Sequence, residues 1–166
     1  MTRLIPTAEL TLGPFFPPEF AQGLHDLAQG VAEVIEISGR VTELDGNPLD
    51  NVVLEIWQAD AAGRFDSPEF LGWGRAATDA QGNYRFRTVR PGACAGRAPH
   101  VNFLILYSGL MRQLQTVMFF EDADDPVLRA VEKSRRGGLV AKKVDSTSYR
   151  FDIRLRGGEE TPFFDD

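Results

Sequence analysis

The stretch YRFDIRLR, residues 149–156, decides the fold class because its side chains alternate strictly between apolar and polar. The apolar positions are Tyr149, Phe151, Ile153 and Leu155, and arginine or aspartate stands between them. A two-residue repeat is typical of a β-strand with one face buried and the other in water, whereas a helix repeats every 3.6 residues. The sequence therefore predicts a strand that packs on a core by one face.

Similar strand patterns occur along most of the chain. Ile35, Ile37 and Val41 alternate with polar residues, and the turn sequence DGNP at 45–48 predicts a hairpin to the next run. Further strands are predicted at 52–59, 70–78, 83–89, 100–107 and 113–120. Strands at this spacing indicate an all-β protein, an antiparallel β-sandwich. Apolar residues on both faces of 100–107 predict that this strand lies in the middle of a sheet.

Short helices are predicted at two peripheral places. Asp125 can cap a helix that begins at Pro126 and has an apolar stripe formed by Val127, Leu128 and Val131. A second short helix is predicted at about 19–29. Since no repeat or linker interrupts the 166 residues, we expect one domain over 1–166 with an N-terminal arm at about 1–30.

Composition and charge argue against several classes of function. The net charge is −6 and no run of Lys or Arg exceeds two, so nucleic acid is not an expected partner. No apolar run reaches the roughly 18 residues of a membrane span, and residues 1–20 lack the apolar core of a signal peptide. The single cysteine, Cys94, is compatible with a reducing compartment. We expect a cytoplasmic protein without a membrane partner.

Few side chains could bind a metal. The only imidazole, thiol and phenol groups belong to His25, His100, Cys94, Tyr84, Tyr107 and Tyr149. On a strand over 100–107, His100 and Asn102 would share one face and Tyr107 would lie on the other. Tyr149 belongs to an apolar face and Tyr84 follows a turn glycine, so both are expected to pack. His25, in a polar stretch, is expected at the surface.

Two long blocks resemble a known family. ISGRVTELDGNPLDNVVLEIWQADAAGRF (37–65) and GRAATDAQGNYRFRTVRPG (74–92) are similar to the core of the intradiol ring-cleaving dioxygenases. TLGPF (11–15), TVMFFED (116–122) and ETPFFDD (160–166) extend the resemblance over nearly the whole chain. It implies a β-sandwich with one non-haem Fe(III), held by two tyrosines and two histidines. The iron binds a catechol, which O2 then cleaves between its two oxygenated carbons.

The same resemblance implies that most iron ligands are missing. The family's histidines form a His-x-His pair, and the matching positions here are His100 and Asn102. One family tyrosine follows the PG turn, where this chain has Cys94 and no tyrosine. The other belongs to the loop after GRF, and the loop DSPEF (66–70) has no phenol. His100, Asn102 and Cys94 are therefore interpreted as vestigial ligand positions, with no metal site in this chain.

A retained scaffold with erased ligands is similar to the non-catalytic alpha-type chain of the two-chain family members that cleave protocatechuate. There a homologous catalytic beta subunit holds the Fe(III). The resemblance implies an oxidoreductase subunit of aromatic compound catabolism, active only in a hetero-oligomer and inactive alone. It also implies that the N-terminal arm lines the partner's pocket for protocatechuate or a related catechol, through Thr11, Leu12, Gly13, Pro14 and Phe15.

Other functions stay open from the sequence. One is a free-standing ligand-binding or structural β-sandwich without catalysis. Another is an enzyme with an atypical metal set drawn from His100, Cys94 and His25. Ser108 stands where the resemblance implies an arginine, which leaves Arg112 as the nearest candidate for a substrate carboxylate. A solvated loop arginine is the simpler interpretation of Arg112.

Overall fold

Strands account for most of the regular structure. The computed structural model describes residues 16–20, 22–31 and 33–164. Within them the strands are β1 (Ile35–Thr42), β2 (Val53–Trp57), β3 (Trp73–Ala77), β4 (Asn83–Thr88), β5 (His100–Leu106), β6 (Leu114–Phe119), β7 (Lys142–Lys143), β8 (Ser148–Arg150) and β9 (Ile153–Arg154). The same described residues also contain one α-helix, α1 (Pro126–Ala130). Short 3₁₀ helices lie at Pro18–Phe20, Leu44–Gly46 and Arg136–Leu139.

The strands form two sheets that pack on a common core, so the predicted β-sandwich is confirmed. The first sheet has the order β4-β1-β8-β7, and β9 also pairs with β1. The second has the order β3-β2-β5-β6 and is antiparallel throughout. In the first sheet β8 and β9 run parallel to β1, which departs from a purely antiparallel sandwich. A parallel pair needs a long connection, and the chain between β1 and β8 supplies it.

The predicted hairpin between the first two strands is wrong. β1 and β2 lie in different sheets, because β1 pairs with β4 while β2 pairs with β3 and β5. The turn chemistry at 45–48 is nevertheless real: Asp45 has φ of 66° and the chain folds back to one bridge between Thr42 and Pro48. The apolar faces of both strands then enter the same core from opposite sides.

The central position predicted for 100–107 is confirmed, since β5 pairs with β2 on one side and β6 on the other. Val101, Phe103 and Ile105 are fully buried between the sheets. Leu104 and Leu106, on the opposite face, are only half-buried. The strand is thus completely buried on one face and partly open on the other.

The stretch at 149–156 packs as its alternation predicts, but its backbone is interrupted. Tyr149, Phe151 and Ile153 are buried in the core, while the pairing divides into β8 and β9. The interruption lies where Phe151 passes Gly39 of β1. A Cβ on Gly39 would stand 1.8 Å from the Phe151 carbonyl oxygen, so only glycine fits there.

One of the two predicted helices forms. Pro126–Ala130 is α-helical, and the Asp125 side chain accepts a hydrogen bond from the Val127 N–H at 2.8 Å, as expected of a cap. The predicted helix at about 19–29 is wrong: only Pro18–Phe20 is helical among its described residues. No helix in the described ranges has the length and apolar character to cross a membrane.

The segment at 24–27 instead runs along the edges of both sheets. The Leu24 carbonyl accepts from the Arg75 N–H of β3 at 3.0 Å, and the His25 carbonyl accepts from the Arg87 N–H of β4 at 2.9 Å. The Leu27 N–H donates to the Arg87 carbonyl at 2.8 Å. The backbone N–H and C=O groups of this segment thus bond to the edge strands β3 and β4. In a helix the same groups would bond to one another.

Candidate functional site

His100 begins β5 and is almost fully buried. Its Nδ1 lies 2.7 Å from the Ala98 carbonyl oxygen, and its ring lies 6.0 Å from the Phe119 ring. Because a carbonyl only accepts, Nδ1 carries the proton and Nε2 is the bare nitrogen of the neutral ring. Burial lowers the pKa of His100 and outweighs the opposing effect of the Ala98 hydrogen bond. The imidazole is therefore neutral at pH 7.

Asn102 lies on the same face of β5, as the sequence predicts for residues two positions apart. Its amide nitrogen donates to the Trp57 carbonyl oxygen on β2 at 3.2 Å. An amide can bridge two strands in this way, but it brings no anionic oxygen to the position. Asn102 therefore serves as a polar tie between β5 and β2.

The tyrosines predicted to pack do so. The Tyr84 hydroxyl donates to the Phe151 carbonyl at 2.5 Å, and burial raises the pKa of this phenol. Tyr149 packs edge-on against Phe120, with ring centroids 4.9 Å apart. Both are committed to the core, away from the loop at 93–99.

The turn at 60–63 lies against the chain at 92–93, directly before Cys94. The Gly92 N–H donates to the Asp60 carbonyl at 2.9 Å, and a Cβ on Gly63 would stand 2.1 Å from the Ala93 carbonyl oxygen. Cys94 follows directly in a tight turn with Arg97, whose N–H donates to its carbonyl at 2.8 Å. The chain just before the loop at 66–70 thus lies against the start of the loop at 93–99.

The block WQADAAGRF holds these loops through buried polar groups. Gln58 Nε2 donates to the Val89 carbonyl at 3.0 Å, and Gln58 Oε1 accepts from Thr88 Oγ1 at 2.9 Å. The Arg64 backbone N–H, the largest influence, lowers the pKa of Asp60, so its carboxylate stays ionised. This block therefore has a structural role, since its polar side chains bond to neighbouring parts of the chain.

A buried ion pair beside His100 was not evident from the sequence. Arg97 Nε lies 2.8 Å from Asp125 Oδ2, and the Ala98 N–H donates to the same oxygen at 3.0 Å. Asp125 thereby joins the loop before β5 to the start of α1. The sequence indicated the helix cap, but the separation of 28 positions between Arg97 and Asp125 concealed their contact.

The remaining predicted positions do not join this site. His25 is half-buried, and its carbonyl is engaged by β4. Arg112 is exposed on the turn between β5 and β6. Thr11, Leu12, Gly13, Pro14 and Phe15 lie outside the described residues. Within residues 16–20, 22–31 and 33–164, no three side chains of His, Cys, Asp or Glu are grouped so that they could hold a metal ion.

Residues 18–96 match a protein-family model described as Dioxygenase. Over 99% of its length the chain is 34% identical to the protocatechuate 3,4-dioxygenase alpha chain of Burkholderia cepacia, all of which is covered. The chain belongs to the intradiol dioxygenase family. Within this family it is of the protocatechuate 3,4-dioxygenase type. That alignment spans 196 positions against 166 residues here, so the relative contains segments that this family member lacks.

Other family members support the same placement. The chain is 33% identical to the Burkholderia cepacia protocatechuate 3,4-dioxygenase beta chain, over 96% of this chain and 84% of that one. The dioxygenase domain of a dioxygenase carbohydrate-binding protein fusion from Streptomyces sp. SirexAA-E has a TM-score of 0.65 and 26% identity, covering 91% of this chain and 98% of that domain. The resemblance inferred from the sequence is thus confirmed.

Intradiol dioxygenases generally depend on Fe(III). Ferric iron prefers hard anionic oxygens, with imidazole completing the coordination. At the matching place this chain presents one neutral imidazole, His100, beside the amide of Asn102. Among the described residues this donor set does not fit Fe(III).

Proposed function

We propose that the chain is the non-catalytic alpha-type subunit of a protocatechuate 3,4-dioxygenase. In this proposal it supports the Fe(III)-dependent cleavage of protocatechuate by O2 to 3-carboxy-cis,cis-muconate, at a site held by a homologous beta subunit. The observation that carries the proposal is the pair His100 and Asn102, in which a second imidazole is replaced by an amide that bonds the neighbouring strand. Relatives named as alpha and beta chains of one enzyme support a two-chain assembly.

The experiment compares the chain alone with the chain co-expressed with a homologous beta chain that has both tyrosines and the His-x-His pair. We expect no stoichiometric iron and no O2 consumption with protocatechuate for the chain alone. The co-purified complex should have one iron per pair, the visible absorption of tyrosinate bound to ferric iron, and turnover. Iron and turnover in the chain alone would refute the proposal and favour a metal set that includes His100.

A matched pair of variants assigns the iron to one subunit. Replacing a ligand tyrosine of the beta chain should abolish the visible absorption, because it removes a phenolate from the metal. His100→Gln in this chain should leave the absorption and the iron content of the complex unchanged. Loss of iron with His100→Gln would place the metal in this chain.

We also propose that residues 11–15 form part of the wall of the partner's catechol pocket. The motif TLGPF supports this, because a glycine lets backbone approach a ligand closely and proline restricts its neighbours to extended geometry. Deletion of residues 1–15 should raise KM for protocatechuate in a complex that still assembles with iron. Unchanged kcat and KM in that complex would reduce the segment to a packing role.

A further inference from the structure

The first sheet has many cationic side chains on the side that faces away from the core. Ile37, Phe86 and Tyr149 point into the core, so the residues that alternate with them point outward. The outward cations are Arg40 on β1, Arg85 and Arg87 on β4, Lys142 on β7, Arg150 on β8 and Arg154 on β9. The chain as a whole has a net charge of −6, so its positive charge is concentrated on this side.

Part of this side forms a groove of about 330 Å³. Its walls are residues 134–138, the strands β7, β8 and β9, and the turn at 158–161. The cations that line it are Arg135, Lys142, Arg150 and Arg154. We call it the cationic groove. Its volume lies at the lower end of the range of small-ligand sites in proteins.

The walls of the cationic groove are fixed by packing and hydrogen bonds. Leu139, directly after the wall at 134–138, is fully buried, and a Cβ on Gly138 would stand 3.1 Å from Pro162 Cδ. The Arg154 N–H donates to Thr161 Oγ1 at 3.0 Å, and the Thr161 N–H donates to the Arg154 carbonyl at 3.0 Å. Because these contacts join the walls, the groove is formed before any ligand binds, which lowers the cost of binding.

Two like charges face each other across the floor of the groove. The register places Lys142 of β7 directly opposite Arg150 of β8. Like charges in this position destabilise a pair of strands. Arg150 is paired with Asp152 at 3.0 Å, whereas Lys142 makes no ion pair within the part of the chain that the structure describes. An anion bound beside Lys142 would replace this repulsion by attraction.

The acidic residues of the groove are Asp152, Glu159 and Glu160, and two of them are weakly engaged. Arg135 Nη2 lies 3.7 Å from Glu160 Oε1, and both side chains are exposed. Arg154 pairs with Glu159, whose side chain is 79% exposed. Exposed ion pairs contribute little to stability, so a carboxylate of a ligand can displace Glu159 or Glu160 at low cost.

We propose that the cationic groove binds a small tricarboxylate. Its four cations come from different segments of the chain, so they suit a ligand with several separated carboxylates, and guanidinium groups bind carboxylates through two parallel hydrogen bonds. The choice of a tricarboxylate rests on the proposed function, because 3-carboxy-cis,cis-muconate has two carboxylates more than protocatechuate. A long polyanion such as nucleic acid is disfavoured by the net charge of −6.

The experiment measures binding to the full chain by isothermal titration calorimetry at neutral pH and low salt. The ligands are 3-carboxy-cis,cis-muconate, citrate, protocatechuate and inorganic phosphate. Both tricarboxylates should bind at least about 10-fold more tightly than protocatechuate or phosphate, because the attraction to the groove grows with the charge of the ligand. Protocatechuate or phosphate that binds as tightly as the tricarboxylates would overturn the proposal.

Variants of two neighbouring lysines test the groove itself. Lys142→Ala should weaken binding of both tricarboxylates about 5-fold, and Lys142→Glu should weaken it further. Lys143→Ala is the matched control, because Lys143 lies opposite Tyr149 and so on the other side of β7. It should bind within about 2-fold of wild type. Equal affinities of Lys142→Ala and Lys143→Ala would overturn the proposal.

Nuclear magnetic resonance of the chain locates the bound ligand. Titration with citrate should shift the backbone amide signals of Gly138 and Gly158, which line the groove, and leave Gly74 on β3 unchanged. Shifts confined to the second sheet would place the ligand elsewhere and overturn the proposal.

The two tricarboxylates distinguish the source of the ligand. Tighter binding of 3-carboxy-cis,cis-muconate would support the product of the proposed reaction as the ligand, and tighter binding of citrate would support a tricarboxylate from another reaction. Either result supports a tricarboxylate site.

The outcomes also separate this inference from the proposed function. If the complex with the beta chain turns over protocatechuate but neither tricarboxylate binds, the groove has been assigned wrongly and the two-chain function stands. If citrate binds in a way that depends on Lys142 while the complex lacks iron and turnover, the two-chain function fails and the tricarboxylate site stands.

Discussion

Asp125→Ala should destabilise the protein strongly, because one buried carboxylate holds three groups. Its side chain is 0% exposed and accepts from Arg97 Nε, the Ala98 N–H and the Val127 N–H. Loss of the helix cap costs about 1 kcal/mol. The unpaired Ala98 donor and the lost bond to the arginine add about 2–3 kcal/mol. The total of about 3–4 kcal/mol lies within the range for breaking a buried pair.

The assay is equilibrium unfolding in urea together with thermal unfolding. For a chain of this size, about 3–4 kcal/mol corresponds to a fall in Tm of about 6–16 °C. Asp124→Ala is the matched control, because Asp124 is 85% exposed and pairs with Arg129, which is itself exposed. Its free energy of unfolding should change by less than about 0.5 kcal/mol. A loss for Asp125→Ala within about 1 kcal/mol of the control would refute the reasoning.

The dependence on pH provides a further check. Burial alone would raise the pKa of Asp125, but the hydrogen bonds from Arg97, Val127 and Ala98 outweigh it and lower this pKa. A lowered folded-state pKa stabilises the protein above the unfolded pKa of about 3.9, and this contribution is lost as the pH falls further. The stability difference between wild type and Asp125→Asn should therefore be constant above about pH 5 and shrink below about pH 4.

Three more outcomes are expected. Gly39→Ala should cost at least about 3 kcal/mol in urea unfolding, since its Cβ would meet the Phe151 carbonyl, whereas Gly137→Ala, with open space around it, should be close to neutral; equal effects would contradict this. Because burial lowers the pKa of His100, wild type should lose stability relative to His100→Gln as the pH falls below about 6.5, and a difference independent of pH would contradict it. Asn102→His should not produce stoichiometric Fe(III) by elemental analysis, since a second imidazole brings no phenolate; one bound iron would disprove this.

The sequence by itself determined which face of the stretch at 149–156 is buried and which chemistry is missing. Alternation identified Tyr149, Phe151 and Ile153 as core residues because a strand exposes its two faces by turns. Asp125 was recognisable as a cap from its immediate neighbours. The lack of a tyrosine in the loops at 66–70 and 93–99 is likewise a property of residue identity. Each of these features depends only on a residue and its near neighbours in the sequence.

Only the tertiary structure decided which strands pair and which distant groups meet. Alternation is the same whether β1 pairs with β2 or with β4, so the turn at 45–48 suggested a hairpin that the second sheet does not permit. The bond between Arg97 and Asp125 joins residues far apart in sequence. Similarly, Trp57 lies in a run typical of a buried strand. It is nevertheless exposed, because its side of the sheet is incompletely covered. The periodicity of a strand determines which of its faces is buried. Which strands pair with each other depends on packing across the whole chain.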